Sequence, residues 1–208
     1  MQAEWIRREG SERLIAVFGG WAVGPAPFKA LRSDCDLIFL SDYRELNWKP
    51  EVLRDYQQAD VLAWSFGVAA YGHWQAANDA VFSKVTALNG TLSPIDRRAG
   101  IPPVVFRRTY DTLTEASYLN FLERVHGAAV PANRIDVTER KAELDAVAKR
   151  AAVSGTHFDR IWISEADQIF PPANQNRAWS DQNEKIRTIV AGPHAPFAQF
   201  SNIDEFFA

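Results

Sequence analysis

The sequence is poor in the residues that build metal clusters and disulfides. Among its 208 residues there is one cysteine, Cys35. A single cysteine cannot form an internal disulfide, and a zinc site made of two or four cysteines is excluded. His126 and His157 have no ligand partners at a zinc-like spacing. We therefore expect neither a bound metal nor a cofactor.

Long apolar runs and a strong charge of one sign are also missing. No stretch approaches the roughly 20 apolar residues that a membrane span requires, and the N-terminal region has no convincing signal-peptide cleavage site. The formal net charge is −3, whereas nucleic-acid-binding domains are usually strongly basic. These absences predict a cytoplasmic protein that binds neither a membrane nor a nucleic acid.

The composition itself is that of a globular protein. Hydrophobic residues make up 47% of the chain and charged residues 24%, which is close to the average for soluble domains. Aromatic residues make up 12%, which argues against intrinsic disorder. Since a domain commonly holds roughly 100–200 residues, we predict that residues 1–208 form a single domain.

Six short apolar runs are separated by longer mixed stretches. Each run is almost continuously apolar and is followed by turn-forming residues, as is typical of parallel strands buried on both faces. Because helix-like stretches lie between several runs, we predict an α/β fold with a mostly parallel central sheet flanked by helices. The runs occupy residues 14–18, 36–40, 61–64, 85–88, 160–163 and 186–190.

The segment from about residue 110 to residue 150 interrupts this pattern. It contains no strand-like run, and Thr112 followed by Glu115 matches a capping box at a helix start. Two sets of apolar residues then recur at helical spacing. They are Tyr118, Phe121, Leu122 and Val125, and then Leu144, Val147, Ala148 and Ala151. We interpret the segment as a helical insertion that forms a lid over a pocket; an ordinary crossover connection is the alternative.

The apolar run at residues 61–64 leads directly into Ser65 and then into a helix-like stretch. A serine at a sharp turn from strand to helix is the context of a nucleophile elbow. Small residues flank such a serine because the tight turn brings backbone segments close together. Here Ala63 and Gly67 occupy those positions, so alanine replaces the first of the two usual glycines. Ser65 is therefore a candidate nucleophile, and a helix N-cap is its alternative role.

An acidic residue and a histidine follow in the order Ser, Asp, His that α/β-hydrolases use. Asp167 comes soon after the fifth apolar run, and His194 soon after the sixth. Both lie at the carboxyl ends of predicted strands, the edge where an open α/β sheet places its site. His194 would accept the Ser65 proton, and Asp167 would orient the imidazole. Glu165 is a nearby alternative for the acid, and Asp42 is a more distant one.

Two backbone N–H groups would be needed to stabilise the oxyanion of a tetrahedral intermediate. In this fold one belongs to the residue after the nucleophile and the other to a loop after an early strand. These criteria select Phe66 and Trp21, with Gly20 as the next candidate for the loop donor. The same loop also permits a phosphate-binding interpretation through Gly19, Gly20 and Gly24, although the spacing differs from that of a dinucleotide-binding loop.

Three aromatic residues flank the candidate nucleophile. They are Trp21, Trp64 and Phe66. Together they predict an apolar pocket for an acyl group, and for Trp64 a position in the core is an equally good interpretation.

Several strings along the chain carry a resemblance to a known family. They are FGGW at 18–21, DYR at 42–44, AWSFG at 63–67, NGT at 89–91, PID at 94–96, GIP at 100–102, DQIFP at 167–171, NQ at 174–175, AW at 178–179 and HAPF at 194–197. In these strings the chain resembles the BioG-type pimeloyl-[acyl-carrier-protein] methyl ester esterases, small α/β-hydrolases of biotin synthesis. The resemblance runs nearly from end to end.

This resemblance implies an activity and a partner. The activity is hydrolysis of the methyl ester of a pimeloyl chain on an acyl carrier protein, with pimeloyl carrier protein and methanol as products. By the same resemblance, Ser65 is the nucleophile, His194 the base and Asp167 the acid. Two alternatives stay open: a thioesterase or general short-acyl carboxylesterase with the same triad, and a hydrolase-fold binding protein that has lost catalysis.

The sequence departs from the family in the lid, which is less basic than the resemblance implies. Residues 107–150 hold eight Lys or Arg against seven Asp or Glu. A better candidate for carrier-protein docking is a group of four arginines with no acidic residue between them, Arg97, Arg98, Arg107 and Arg108. An acidic carrier protein with a phosphopantetheine arm offers carboxylates and a phosphate, which guanidinium groups bind through two parallel hydrogen bonds. A solvated loop with scattered charges is the alternative.

Overall fold

The structure is a computed structural model that describes residues 1–79, 81–131 and 134–208, the side chain of Lys185 excepted. Within these residues, seven strands form one sheet. They are β1 (Gln2–Arg7), β2 (Arg13–Phe18), β3 (Asp36–Ser41), β4 (Gln58–Trp64), β5 (Lys84–Leu88), β6 (Arg160–Ser164) and β7 (Arg187–Val190). All six predicted runs correspond to strands, although Ile186 belongs to a single 3₁₀ turn before β7.

The strand order is β1-β3-β2-β4-β5-β6-β7, and each neighbouring pair is parallel except β1 with β3. The predicted mostly parallel sheet is therefore confirmed. The edge strand β1 was not predicted, because its residues are exposed or half-buried and form no apolar run. In contrast, the last five residues of β2 are completely buried, since a central parallel strand is covered on both faces.

Helices connect and cover the strands. The α-helices are α1 (Ala26–Lys29), α2 (Phe66–Ala76), α3 (Pro103–Asp111), α4 (Glu115–His126), α5 (Val137–Lys149) and α6 (Pro172–Ala178). Short 3₁₀ helices occupy Pro50–Asp55, Glu184–Ile186, Pro196–Gln199 and Ile203–Phe207. None of the helices in the described part of the chain is long and apolar enough to cross a bilayer.

Helices α3, α4 and α5 lie between β5 and β6, and we call residues 103–149 the helical insertion. It begins at Pro103, earlier than the predicted start near residue 110. The apolar residues of α3 gave no core-facing pattern because Val104 and Val105 are exposed.

The start of α4 differs from the predicted capping box. Thr114, not Thr112, is the N-cap: its hydroxyl accepts a hydrogen bond from the backbone N–H of Ser117, and the Ser117 hydroxyl accepts one from the Thr114 N–H. Thr112 instead ends α3, where its hydroxyl donates to the Arg108 carbonyl. The predicted box therefore fails because its first residue belongs to the preceding helix.

One of the two predicted apolar stripes is fully buried and the other only in part. The four residues of the α4 stripe are all buried. In α5, Leu144 and Val147 are buried, but Ala148 and Ala151 are exposed. Ala148 lies on the solvent face of the last helical turn, and Ala151 lies beyond the end of the helix at Lys149. A carboxylate, Glu143, is buried beside Leu144 instead.

Candidate active site

Ser65 lies at the sharp turn between β4 and α2. Its backbone has φ 60° and ψ −127°, a conformation that a residue with a side chain adopts at a cost of about 1–3 kcal/mol. The Ser65 N–H donates to the Leu88 carbonyl at 3.0 Å, and the Ser65 carbonyl accepts from the Val68 N–H at 3.1 Å. These bonds on both sides hold the strained residue in place, so its hydroxyl is presented at the end of the sheet.

Small residues around this turn are required by close backbone approaches. A Cβ atom on Gly67 would lie 2.0 Å from the Phe18 carbonyl oxygen, and one on Gly90 would lie 2.3 Å from the Ser65 carbonyl oxygen. Both distances are far below van der Waals contact. Ala63, by comparison, is completely buried within β4, so its methyl group is accommodated where the usual elbow has glycine.

The structure brings Ser65, His194 and Asp167 into one hydrogen-bonded chain. The Ser65 Oγ lies 2.9 Å from His194 Nε2, and His194 Nδ1 lies 2.8 Å from Asp167 Oδ2. All three side chains are buried. A neutral imidazole with its proton on Nδ1 satisfies both bonds, because Nδ1–H donates to the carboxylate and Nε2 accepts from the hydroxyl. This is the geometry in which a serine hydroxyl can transfer its proton to a histidine.

Asp167 is held by two backbone groups and by one side chain that sequence reasoning missed. Its Oδ1 accepts from the N–H groups of Ile169 and Phe170 at 2.8 and 2.9 Å. Its Oδ2 accepts from Gln175 Nε2 at 2.9 Å, and the same amide also donates to the Phe170 carbonyl. Gln175, in α6, is completely buried. In the sequence Gln175 carries only its place in the string NQ at 174–175, because a lone glutamine has no spacing signal.

The histidine is held through its backbone and its ring. Its carbonyl oxygen accepts from Trp64 Nε1 at 2.9 Å and from Asn89 Nδ2 at 2.8 Å. The imidazole stacks parallel to the Phe170 ring, with 5.9 Å between centroids. Trp64 is completely buried and packs on Phe197 rather than lining the cavity beside Ser65. Of the two interpretations of Trp64, the structure places it in the core.

The alternative acids lie elsewhere. Glu165 is exposed, and Asp167 alone pairs with His194 among the residues that the structure describes. Asp42 binds Arg44 through 2.8 and 2.6 Å hydrogen bonds. This guanidinium lowers the pKa of the Asp42 carboxyl, against the raising effect of burial.

Both candidate oxyanion donors border the cavity that contains Ser65. Trp21 and Phe66 line it together. Within the described residues, neither backbone N–H has a backbone or side-chain acceptor. The loop also packs tightly here, because a Cβ on Gly20 would lie 3.0 Å from the Trp64 ring and 3.3 Å from the Ser65 Cβ. Two unpaired N–H groups beside a buried serine hydroxyl are what oxyanion stabilisation requires.

The cavity beside Ser65 is small and mainly apolar, and it adjoins a larger groove. Its volume is about 50 Å³, and its walls include Ile101, Phe106, Phe121 and Leu144. The groove, of about 990 Å³, lies between α3 and α4. The two spaces share five lining residues, Val105, Thr109, Phe121, Arg124 and Gln168. A long substrate could therefore extend from Ser65 into the groove.

The four predicted docking arginines are all exposed. Arg108 lines the groove between α3 and α4, whereas Arg97, Arg98 and Arg107 do not. Sequence reasoning missed Arg124, which is exposed and lines both the groove and the cavity. Arg124 is one of eight basic residues among residues 107–150, and the seven acidic residues there gave no reason to single it out.

No group of three or more His, Cys, Asp or Glu side chains in the described parts of the chain could hold a metal ion. Cys35 is buried and free. The chemistry that these residues can perform is that of a hydroxyl, an imidazole and a carboxylate.

Comparison with known proteins places the chain in a family. The model of the family "Pimeloyl-ACP methyl esterase BioG" matches residues 1–206. The chain belongs to the BioG family. BioG from Haemophilus influenzae, known from its crystal structure, has 28% sequence identity and a TM-score of 0.85, with 100% of each chain covered. The fold of the chain is that of an α/β-hydrolase.

The chain is also similar to two other proteins. A malonyl-[acyl-carrier protein] O-methyltransferase of Bacteroides fragilis is 34% identical over 184 residues, which are 83% of this chain and 38% of that protein. The chain thus spans well under half of that relative. A lipase-esterase related protein from Clostridium acetobutylicum has a TM-score of 0.65 at 11% identity, covering 93% of this chain and 92% of the other. The latter similarity shows the fold alone.

Proposed function

We propose that this protein hydrolyses the methyl ester of pimeloyl-acyl-carrier protein by a serine mechanism. The products are methanol and pimeloyl-acyl-carrier protein. The observation that carries the proposal is the buried hydrogen-bonded chain from Ser65 through His194 to Asp167 in a member of the BioG family. The proposed compartment is the cytoplasm, where carrier-bound acyl chains would be its substrates.

In the proposed reaction, Ser65 Oγ attacks the ester carbonyl carbon while His194 Nε2 takes the hydroxyl proton. The N–H groups of Trp21 and Phe66 stabilise the negative charge that develops on the carbonyl oxygen. The bond to the methoxy oxygen then breaks, and His194 returns the proton so that methanol leaves. Water, deprotonated by His194, attacks the acyl-enzyme and releases the carboxylate from Ser65. The Asp167 carboxylate stabilises the imidazolium in both steps.

The relatives support a methyl ester as the bond that is cleaved. The Bacteroides fragilis relative is named for methyl transfer to malonyl-acyl-carrier protein, and a segment of it is similar to this chain. A methyl ester on a carrier-bound acid is what that transfer makes. An esterase of the BioG family would remove the same group after the acyl chain has been elongated.

The size of the cavity supports the orientation of the substrate. A cavity needs roughly 10–15 Å³ for each water it holds, so about 50 Å³ takes only a few small groups. We place the ester carbonyl and its methyl group there. The rest of the acyl chain and the carrier arm would then lie in the groove between α3 and α4, where the exposed Arg108 and Arg124 lie.

The experiment that tests this function compares the wild type with Ser65→Ala on pimeloyl-acyl-carrier-protein methyl ester. Native gels would follow cleavage, and mass spectrometry of the carrier would identify the product. We expect the wild type to convert the carrier-bound ester to the carrier-bound acid and Ser65→Ala to leave it intact.

Other outcomes of this experiment point to other functions. Release of the whole acyl chain from the carrier would identify a thioesterase. Cleavage of p-nitrophenyl esters without cleavage of the carrier-bound ester would indicate a general carboxylesterase. Absence of both activities and of fluorophosphonate labelling at Ser65 would contradict a serine hydrolase and favour a binding protein.

A further inference from the structure

A carboxylate is buried in the helical insertion, away from the hydrogen-bonded chain that contains Ser65. Glu143, in α5, is only 1% exposed. Its Oε1 accepts from the backbone N–H of Tyr43 at 3.1 Å, and its Oε2 accepts from Arg140 Nη1 at 2.9 Å. Burial raises the pKa of the Glu143 carboxyl, and the Tyr43 N–H and the Arg140 guanidinium act in the opposite direction. The carboxylate gives the buried Tyr43 N–H its acceptor and pairs with Arg140, so an apolar residue in its place would leave that N–H unsatisfied.

Tyr43, the first partner of Glu143, also contacts the loop after β2. The Tyr43 side chain is completely buried, and its hydroxyl lies 2.8 Å from the Gly19 carbonyl and 3.1 Å from the Leu40 carbonyl. Gly19 is fixed further because its N–H donates to the Leu40 carbonyl at 2.9 Å. A Cβ there would lie 2.2 Å from the Phe39 ring. Tyr43 therefore links Glu143 to the start of the loop at residues 19–21.

Arg140, the second partner of Glu143, contacts the end of the same loop. Trp21 Nε1 donates to the backbone carbonyl of Arg140 at 3.1 Å, and Arg140 is the residue whose guanidinium binds Glu143. The Trp21 ring also packs edge-on against Phe121 of α4. The contacts thus close a circuit that runs from Glu143 through Tyr43 to the loop, and from Trp21 through Arg140 back to Glu143.

We infer that Glu143 is a positioning residue. Through Tyr43 and Arg140 it holds the loop at residues 19–21 so that the backbone N–H of Trp21 faces the developing oxyanion. This inference rests on the proposed function, because it takes Trp21 as an oxyanion donor. Two carboxylate oxygens suit this task, since each accepts from a fixed direction and together they set the distance between the loop and α5. The helical insertion would then do more than cover the site: it would complete the catalytic machinery.

The expected effect is on the chemical step. Removing one oxyanion donor lowers kcat by roughly 10²–10³-fold. Displacing a donor without deleting it should cost less, so we expect kcat to fall by about 10-fold or more when the circuit is broken. KM for a small ester should change less than about twofold, because the bound ester is uncharged and the donor acts mainly on the transition state.

The test compares Glu143→Gln and Tyr43→Phe with a matched control. Glu139→Gln removes an ion pair of α5, the 2.8 Å contact with Arg44, but lies outside the circuit. Hydrolysis of p-nitrophenyl acetate gives kcat and KM, and fluorophosphonate labelling carried to completion counts the active sites. A trifluoromethyl ketone forms a tetrahedral adduct in which the Ser65 oxygen bonds to the ketone carbon and the proton moves to His194. Its affinity therefore reports on the oxyanion site itself.

The inference predicts the same signature for both circuit variants. In each, kcat per active site falls by about 10-fold or more, and Ki for the ketone rises by the factor by which kcat/KM falls. Glu139→Gln keeps kcat within about twofold. The double variant should lose less than the product of the single effects, since both substitutions act on one loop.

Contrary outcomes are clearly separated. A loss of active sites with unchanged kcat per site and unchanged Ki would show that Glu143 supports only folding, and would overturn the inference. An equal loss in Glu139→Gln would overturn it too. If Glu143→Gln does not fold, Tyr43→Phe decides alone. Failure of Ser65-dependent hydrolysis in the wild type would instead contradict the proposed function, whereas normal hydrolysis by both circuit variants would contradict only the inference.

Discussion

The helix that follows the nucleophile and the first helix of the insertion differ in how deeply their side chains are buried. Helix α2, which follows Ser65, has eight buried residues among its eleven. Helix α3, at the start of the insertion, has no buried residue, and Val104 is 75% exposed. The nucleophile turn fixes a strained serine between close backbone contacts, whereas α3 offers its side chains to solvent beside a groove. The proposed bond-breaking groups are therefore held at the end of the sheet, whereas Arg107 and Arg108, which we propose for recognition, lie on a helix with no buried residue.

The largest effect should come from the acid at the sheet end. Asp167→Asn would keep the shape but reverse the preferred imidazole tautomer, because the amide can donate to Nδ1. We expect kcat to fall by about 10⁴-fold, as in other triads of this kind. Glu165→Gln is the matched control, since Glu165 is exposed and should leave kcat within about twofold. Steady-state hydrolysis of a p-nitrophenyl ester measures both. A larger loss of kcat in Glu165→Gln than in Asp167→Asn would show that Glu165, and not Asp167, is the acid.

A second prediction tests how tightly the nucleophile turn is packed. Gly67→Ala would place a methyl group 2.0 Å from the Phe18 carbonyl oxygen, so the turn must move. We expect a loss of about 3 kcal/mol in the free energy of unfolding. The control is Gly155→Ala, with φ +80° and open space around it, which should cost only about 1 kcal/mol. Urea unfolding gives both values, and equal losses would contradict the difference in packing.

A third prediction concerns the exposed arginines of the insertion. Arg107→Glu with Arg108→Glu should raise KM for pimeloyl-acyl-carrier-protein methyl ester by about 10-fold, because two pairings with an acidic carrier protein become repulsive. Hydrolysis of small esters should not change. The control double variant, Lys49→Glu with Arg54→Glu, changes the charge equally at exposed positions outside the groove. Equal losses on both ester types, or an equal rise in KM in the control, would contradict docking at this surface.

The smallest effect concerns the ion pairs that join the loop after β3 to helix α5 of the insertion. Arg44 bridges Asp42, just after β3, and Glu139 in α5. Because Arg44 lowers the pKa of Asp42 below its ordinary 3.8, this pair stabilises the fold above pH 3.8 and loses its effect as the pH falls through the pKa of the folded state.

Asp42→Asn should therefore lower the Tm by about 2–4 °C near neutral pH, equivalent to about 1 kcal/mol for a partly exposed pair. The difference between variant and wild type should shrink as the pH falls below about 3.8. Thermal unfolding followed by circular dichroism across this range is the measurement. A difference that grows in acid would contradict the assigned direction.

Much of the fold and of the site could be predicted because the signals are local. A continuous apolar run marks a strand buried on both faces, so the parallel strands were predicted correctly, while the half-exposed edge strand β1 was missed. Ser65, Asp167 and His194 each follow such a strand, and parallel strands end at one edge of the sheet. Their order and placement therefore identified the candidates before any distance was known.

By itself, the sequence determined the α/β class, the family and the residues available for a serine mechanism. Only the tertiary structure decided which groups support them. Gln175, in α6, donates a hydrogen bond to Asp167, and the Trp64 indole donates one to the His194 carbonyl. Glu143 accepts a hydrogen bond from Tyr43, which is 100 residues away in the sequence. The reason is physical: periodicity and turn chemistry act over a few neighbouring residues, whereas a side-chain contact between distant segments depends on how the helices and strands pack.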